Sequence, residues 1–117
     1  MINNFKDLKI WHKGIDLVIN IYKLTSKFPS EEKFGLISQI RRSVVSIPSN
    51  IAEGHSRKTS KDFKQFIAIA KGSLSELETQ LIISFKLNFI SKEEFAIISE
   101  KIKELEKMTA SFYGKLQ

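Results

Sequence analysis

Apolar residues recur at alternating intervals of three and four positions over four long segments of the chain. This spacing places them along one face of an α-helix, whereas a half-buried strand would alternate apolar and polar residues. The pattern predicts helices at about residues 6–26, 31–54, 60–89 and 92–116. Because short connections join them, consecutive helices should pack as antiparallel neighbours. The sequence therefore predicts one all-α domain over residues 1–117, an antiparallel up-down-up-down four-helix bundle.

Each predicted helix has one apolar stripe that is expected to face the common core. In the first helix the stripe contains Leu8, Trp11, Ile15, Val18 and Tyr22. In the second it contains Phe34, Ile37, Ile40, Val44 and Ile51. In the third it contains Phe63, Phe66, Ala70, Leu74, Leu77, Leu81 and Phe85. In the fourth it contains Phe95, Ile98, Ile102, Leu105, Phe112 and Leu116.

Two helices carry apolar residues outside these stripes. They are Ile10, Leu17, Ile21 and Leu24 in the first helix and Ile69, Ile83 and Leu87 in the third. A single bundle core needs one face of each helix, so the surplus indicates a second buried surface and hence self-association. The alternative is that wide stripes simply make a larger core.

Several local signals set the expected ends of these helices. Pro29 ends the first helix, and Ser30 is positioned to cap the second. Gly54 is expected to end the second helix, since glycine is common just past a helix C-terminus. Ser91, followed three residues later by Glu94, predicts a capping box at the start of the fourth helix.

The composition bounds the class of protein. There is no cysteine, no long uncharged apolar run, and the polar start Met1-Ile2-Asn3-Asn4 does not resemble a signal peptide. These features predict a cytoplasmic protein with no membrane partner. The net charge is +6, and residues 1–75 carry 13 Lys/Arg against 6 Asp/Glu while residues 76–117 carry 6 against 7. Such a basic surface attracts polyanions, above all nucleic acid, although solubility alone could also account for it.

The sequence offers little for catalysis. His12 and His55 are the only histidines and lie in different segments, so no pair of them can hold a metal on one helix face. No Gly-rich phosphate loop occurs. We therefore predict no catalytic residues, no metal, no cofactor and no enzymatic activity.

A basic stretch follows the second helix. Arg57, Lys58, Lys61 and Lys64 cover the predicted loop and the first turns of the third helix. They are the candidates for contacts to RNA or DNA phosphates, which would give binding led by the backbone rather than by base sequence. A solvated basic loop without a ligand is the alternative.

Arg41 and Arg42 are adjacent on the second helix and cannot share a face. One of them is expected to lean toward the third helix and pair with Glu76 or Glu78, as a structural or interface clamp. Exposed phosphate contacts are the alternative. Pro48 lies within the second helix, where it should cause a kink, and Asn50 is expected to bond to backbone groups that the proline frees.

These residues belong to runs with a recognisable pattern: 35–42 (GLISQIRR), 46–48 (SIP), 50–54 (NIAEG, which includes Glu53) and 70–78 (AKGSLSELE). The chain resembles the bacterial four-helix-bundle family of 23S rRNA intervening-sequence proteins over nearly its whole length. The resemblance implies a bundle that assembles as a ring-shaped homopentamer, with no established enzymatic activity. Related retroelement accessory variability proteins look like basic barrels that engage RNA and a reverse transcriptase.

Residues and resemblance together predict a non-enzymatic homo-oligomer, a pentamer by resemblance, that binds structured RNA or DNA through a basic surface. The structural or interface residues would be Arg41, Arg42, Pro48, Asn50, Glu53, Glu76 and Glu78. The alternative is a protein–protein scaffold or adaptor whose partner is a protein and whose basic charge is incidental.

Overall fold

The computed structural model describes residues 4–117, so the first three residues of the polar start, Met1-Ile2-Asn3, lie outside the described residues. Four long helices account for most of the chain: α1 (Lys9–Thr25), α2 (Leu36–His55), α3 (Ser60–Lys86) and α4 (Lys92–Lys115). Short 3-10 turns at Phe5–Asp7 and Ser30–Glu32 precede α1 and α2. The all-α prediction is confirmed.

The helices pack as neighbours in chain order, and α1 also contacts α4, which closes the bundle. The most extensive contact is between α2 and α3. Short connections make consecutive helices antiparallel, so the predicted up-down architecture is confirmed. One end of the bundle therefore holds the first turns of α1 and α3 and the last turns of α2 and α4.

The core-facing side of α1 is rotated from the predicted one, although Leu8 of the predicted stripe, which directly precedes α1, is buried. Ile10, Leu17 and Ile21 are buried, whereas Tyr22 of the predicted stripe is 40% exposed. Trp11, Ile15 and Val18 are only partly buried. The reason lies at Gly14, which faces Pro48 so closely that an added Cβ would be 3.3 Å from the Pro48 Cβ. Glycine adds no apolar signal to a periodic pattern, so the pattern favoured the neighbouring face.

The surplus apolar residues of the two helices consequently differ in kind. On α1, Ile10, Leu17 and Ile21 are core residues and need no second surface. On α3 and at its C-cap, Ile69, Ile83 and Leu87 remain 44–53% exposed. The apolar stripe predicted for α3 does face the core, where Ala70, Leu74, Leu77 and Leu81 are buried.

The start of α2 also differs from the prediction. The helix begins at Leu36, and the preceding residues form a 3-10 helix at Ser30–Glu32 and then a turn at 33–35. Ser30 makes no capping hydrogen bond; instead the Leu36 N–H donates to Glu32 Oε1 at 3.2 Å. The turn also leaves Phe34 89% exposed, although the apolar pattern placed it in the core.

Gly54 lies inside α2, which ends at His55. A Cβ at Gly54 would lie 2.7 Å from the Cβ of Phe66 and 2.8 Å from Cδ1 of Phe63. The glycine thus lets α2 and α3 approach each other, whereas the sequence predicted a helix terminator.

The connection from α3 to α4 uses two well-defined caps. Asn88 has a φ of 66°, and the N–H groups of Asn88 and Phe89 donate to the carbonyls of Phe85 and Ser84, which is a Schellman motif. This motif ends α3 at Lys86, three residues earlier than predicted. The capping box of Ser91 and Glu94 is confirmed, with both reciprocal bonds at 3.0 Å.

Candidate nucleic-acid interface

The predicted phosphate-binding residues lie together at one end of the bundle. The loop after α2 carries Arg57 and Lys58, and the first turns of α3 carry Lys61 and Lys64. The loop borders a groove of about 290 Å³ whose floor includes Leu8, Phe63 and Phe112, from three different parts of the chain. We call this end, formed by the first turns of α1 and α3 and the last turns of α2 and α4, the basic end.

Arg57 is held by two contacts. Its NH2 group donates to Glu53 Oε2 at 2.8 Å, one helical turn earlier. Its guanidinium carbon lies 4.7 Å from the centre of the Phe66 ring, a cation–π distance. Because both members of the Arg57–Glu53 pair are about half exposed, the pair orders the arginine more than it stabilises the fold. Glu53, which the sequence predicts to be a structural or interface residue, thus has Arg57 as its partner.

Lys64 and Lys71, which was not among the predicted site residues, contact the same aromatic ring. The Nζ atoms of Lys64 and Lys71 each lie 4.7 Å from the ring centre of Tyr113 on α4. The two lysines are seven residues apart, or two helical turns, so they lie on the same face of α3. That spacing was visible in the sequence, but the position of Tyr113 depends on how α4 packs on α3.

Lys58 and Lys61 are exposed, and neither takes part in a salt bridge within residues 4–117. Their ammonium groups are therefore available to solvent and to anions. Together with Lys64 and Lys71 they give the basic end a set of cations along the loop and the first three turns of α3.

Arg41 does not pair with an acid of α3. Its Nε donates to Thr25 Oγ1 at 3.0 Å and its NH2 donates to the Tyr22 carbonyl at 3.3 Å. Its guanidinium also lies 4.3 Å from the Tyr22 ring centre. The arginine thus lies at the C-terminus of α1, where the helix dipole favours a positive charge.

The predicted acidic partners have other neighbours. Glu76 accepts a hydrogen bond from Ser43 Oγ at 2.9 Å. Burial, and secondly the negative charge of Glu78, raise the pKa of Glu106 on α4. Arg41 bonds to α1 instead, and no salt bridge among residues 4–117 joins either arginine to Glu76 or Glu78. The predicted ion pair is therefore wrong within the described chain, and Arg42 is exposed.

The segment around Pro48 is a packing element between helices. Pro48 is buried against Gly14 of α1. Asn50 Nδ2 donates to the carbonyl and the hydroxyl of Ser46 at 2.8 and 2.9 Å, and that hydroxyl hydrogen-bonds to Ser73 of α3 at 2.9 Å. The sequence predicts that Asn50 bonds to backbone groups freed by Pro48, whereas its side chain bonds to Ser46. Through the Ser46 hydroxyl, these bonds connect α2 to α3.

Two further properties concern the whole described chain. Within residues 4–117, no group of three or more His, Cys, Asp or Glu side chains is arranged to hold a metal ion. In the same range, no helix has the length and apolar character needed to cross a membrane.

Comparisons with known proteins agree with the fold. A solved structure, described as a protein with unknown function from the S23 ribosomal protein family of Bacteroides thetaiotaomicron VPI-5482, matches with a TM-score of 0.84 and 26% sequence identity over 91% of this chain and 96% of that chain. No curated protein matches the chain. The family model for the 23S rRNA-intervening sequence protein matches residues 6–111. Since this match covers most of the sequence, the chain belongs to the 23S rRNA-intervening sequence protein family.

Proposed function

We propose that the protein is a non-enzymatic, homo-oligomeric helical bundle that binds structured RNA or DNA through its basic end. The observation that carries the proposal is the collection of cations there: Arg57, Lys58 and Lys61 are exposed, and Lys64 and Lys71 are partly exposed. Phosphates attract such a set irrespective of base sequence, and binding releases counterions from the nucleic acid.

Self-association would increase this attraction by bringing several basic ends together. The exposed apolar residues on α3, Ile69, Ile83 and Leu87, supply a surface that a second copy could cover. The family resemblance supports a pentamer as the assembly. A ring of copies would present repeated basic ends, so that one structured nucleic acid could contact several of them.

The proposal is tested by titrating the purified protein into a labelled RNA hairpin at two salt concentrations. Several phosphate contacts should weaken binding by orders of magnitude between about 50 and 200 mM salt. The variant Arg57→Gln/Lys58→Gln/Lys61→Gln/Lys64→Gln should lose most of the affinity and have a shallower salt dependence.

A matched variant with the same change of charge supplies the control. Lys23, Lys86, Lys92 and Lys101 are exposed and lie away from the basic end. Their replacement by glutamine should have a much smaller effect on affinity. Equal losses in the two variants would show that only the net charge matters, and an unchanged affinity in the first variant would contradict the proposal.

A protein–protein scaffold is the second candidate, and exposed apolar residues favour it. Phe34 and Ile97 are 89% and 61% exposed and lie on different elements from the α3 residues. If an intact oligomer fails to bind RNA or DNA at low salt, these residues become the place to look for a protein partner.

A further inference from the structure

A second groove at the basic end has an apolar floor and a cationic rim. It measures about 560 Å³ and lies between the start of α1 and the last turns of α4. Leu8, Ile10, Met108 and Phe112 form its apolar lining. Its size is within the range of small-ligand sites, which combine an apolar lining with a few polar groups.

The polar groups of this groove are ordered along α4. Lys107, Ser111 and Lys115 are spaced four residues apart and so lie in one row, while Lys9 contributes a third ammonium group from α1. The three lysines are exposed, and none takes part in a salt bridge of the described residues. Asp7 is the acidic residue of the lining, so a polyanion would follow the α4 side.

The groove adjoins the one beside the basic loop. Leu8 and Phe112 line both grooves, and Arg57 and Lys58 border the second. A nucleic-acid strand could therefore run from the basic loop to Lys107 and Lys115 on α4 and have positively charged side chains beside it along the whole path. An apolar slot at the centre of this path gives a base of that strand a place to be shielded from water.

We infer that this groove holds an unpaired nucleobase of a bound RNA, whose flanking phosphates are held by Lys107 and Lys115. The inference rests on the proposed function. It adds that the protein binds RNA with unpaired nucleotides more tightly than a fully paired duplex. The site recognises any strand that combines a flat apolar group with phosphates on either side. A docked helix fits less well, because the row spans roughly 12 Å whereas a three-turn helix of about 12 residues needs roughly 18 Å.

Charge and apolar contact are separated by comparing two labelled oligonucleotides. One is a single strand of about ten nucleotides, and the other has the same phosphates with abasic sugars, so only the bases differ. The wild-type protein should bind the first about tenfold more tightly, since contact of a base with an apolar and aromatic surface is typically worth that much or more. Equal affinity for the two strands would overturn the inference.

A variant that fills the groove without changing charge locates the effect. Ser111 is exposed on α4, so Ser111→Phe should fold and occupy the slot. It should lose the preference for the strand with bases while retaining affinity for the abasic strand. Ala110→Phe is the matched control, because Ala110 is also exposed on α4 but does not line the groove, and it should keep the preference. A Ser111→Phe protein that still prefers the strand with bases would refute the location.

Two further arms keep this inference distinct from the proposed function. Suppose that a fully paired RNA duplex binds the wild type and loses affinity in the Arg57/Lys58/Lys61/Lys64 variant, while single strands show no preference for bases. That result would leave the proposed function standing and reject the base site. Polyglutamate can be used as a competitor of the labelled strand. If it competes as effectively as the unlabelled strand, the groove binds an acidic protein partner, and the base site is also rejected. Failure of every strand to bind would reject both.

Discussion

Replacing Gly54 by alanine tests the close approach of α2 and α3 at the basic end. The new methyl group would lie 2.7 Å from the Phe66 Cβ and 2.8 Å from Phe63 Cδ1, whereas carbon atoms in contact prefer about 3.5–4.0 Å. The Phe63 ring can rotate away. The Phe66 Cβ is fixed to the α3 backbone, so the two helices themselves must separate.

The expected magnitude follows from two opposing effects. Overpacking of this kind costs typically about 1–3 kcal/mol, and the immobile Phe66 Cβ places Gly54→Ala near the upper end. Alanine gains about 1 kcal/mol over glycine in a helix interior. The free energy of unfolding should therefore fall by about 2 kcal/mol.

Gly72→Ala is the matched control because Gly72 also lies within a helix, and an added Cβ there meets no atom within 4 Å. This variant should be more stable than wild type by about 0.5–1 kcal/mol, so the two glycine substitutions should differ in sign. Urea denaturation followed by circular dichroism, at equal protein concentrations, measures both. A Gly54→Ala protein as stable as Gly72→Ala would refute the packing argument.

Three other substitutions test individual contacts. Arg41→Ala should lower the free energy of unfolding by about 1.5–3 kcal/mol, because the arginine donates two hydrogen bonds at the C-terminus of α1. Arg42 is the exposed neighbour, and Arg42→Ala should change the free energy of unfolding by less than about 0.5 kcal/mol. Equal effects of the two substitutions in urea denaturation would contradict the assignment. Gln80→Met should raise the free energy of unfolding by about 1 kcal/mol, because the buried Gln80 Oε1 has no hydrogen-bond partner among residues 4–117, and a less stable variant would count against this reading. The pKa of Glu94 is lowered, first by the hydrogen bond from the Ser91 backbone N–H and then by Lys27. The Glu94 carboxylate therefore stabilises the fold at pH values above its unfolded-state pKa. This stabilisation is lost as the pH falls through the lowered pKa of the folded state. Glu94→Gln should therefore be less stable than wild type at neutral pH and converge with it in acid, and a constant difference across a pH series of denaturation curves would be inconsistent with the shift.

Features that depend on neighbouring residues could be predicted from the sequence. The capping box of Ser91 and Glu94 forms as expected because both bonds span three residues and need no tertiary partner. The four helices and their order also followed from the apolar period, since a helix that must bury one face shows that requirement along its whole length. The position of the basic loop could also be predicted, because Arg57 and Lys58 are adjacent in the sequence.

Features that depend on distant residues could not be predicted in this way. The partners of Arg41 lie 16 and 19 residues away, and a guanidinium can reach an acid or a helix end equally well. The lysine pair around Tyr113, and the groove that joins Lys9 to Lys107, arise from the packing of α4 against α3 and α1.

The sequence by itself determined the helical class, the order of the helices and the net positive charge, because each of these is a property of local periodicity or composition. Only the tertiary structure decided which face of α1 is buried and where the cations meet. Two neighbouring faces of α1 are apolar, so hydrophobicity alone does not show which one is buried. The face with Gly14 is buried because the glycine fits closely against Pro48. The basic end likewise exists because antiparallel packing brings the termini of four helices together, and distance through space, not along the chain, governs the field that they produce.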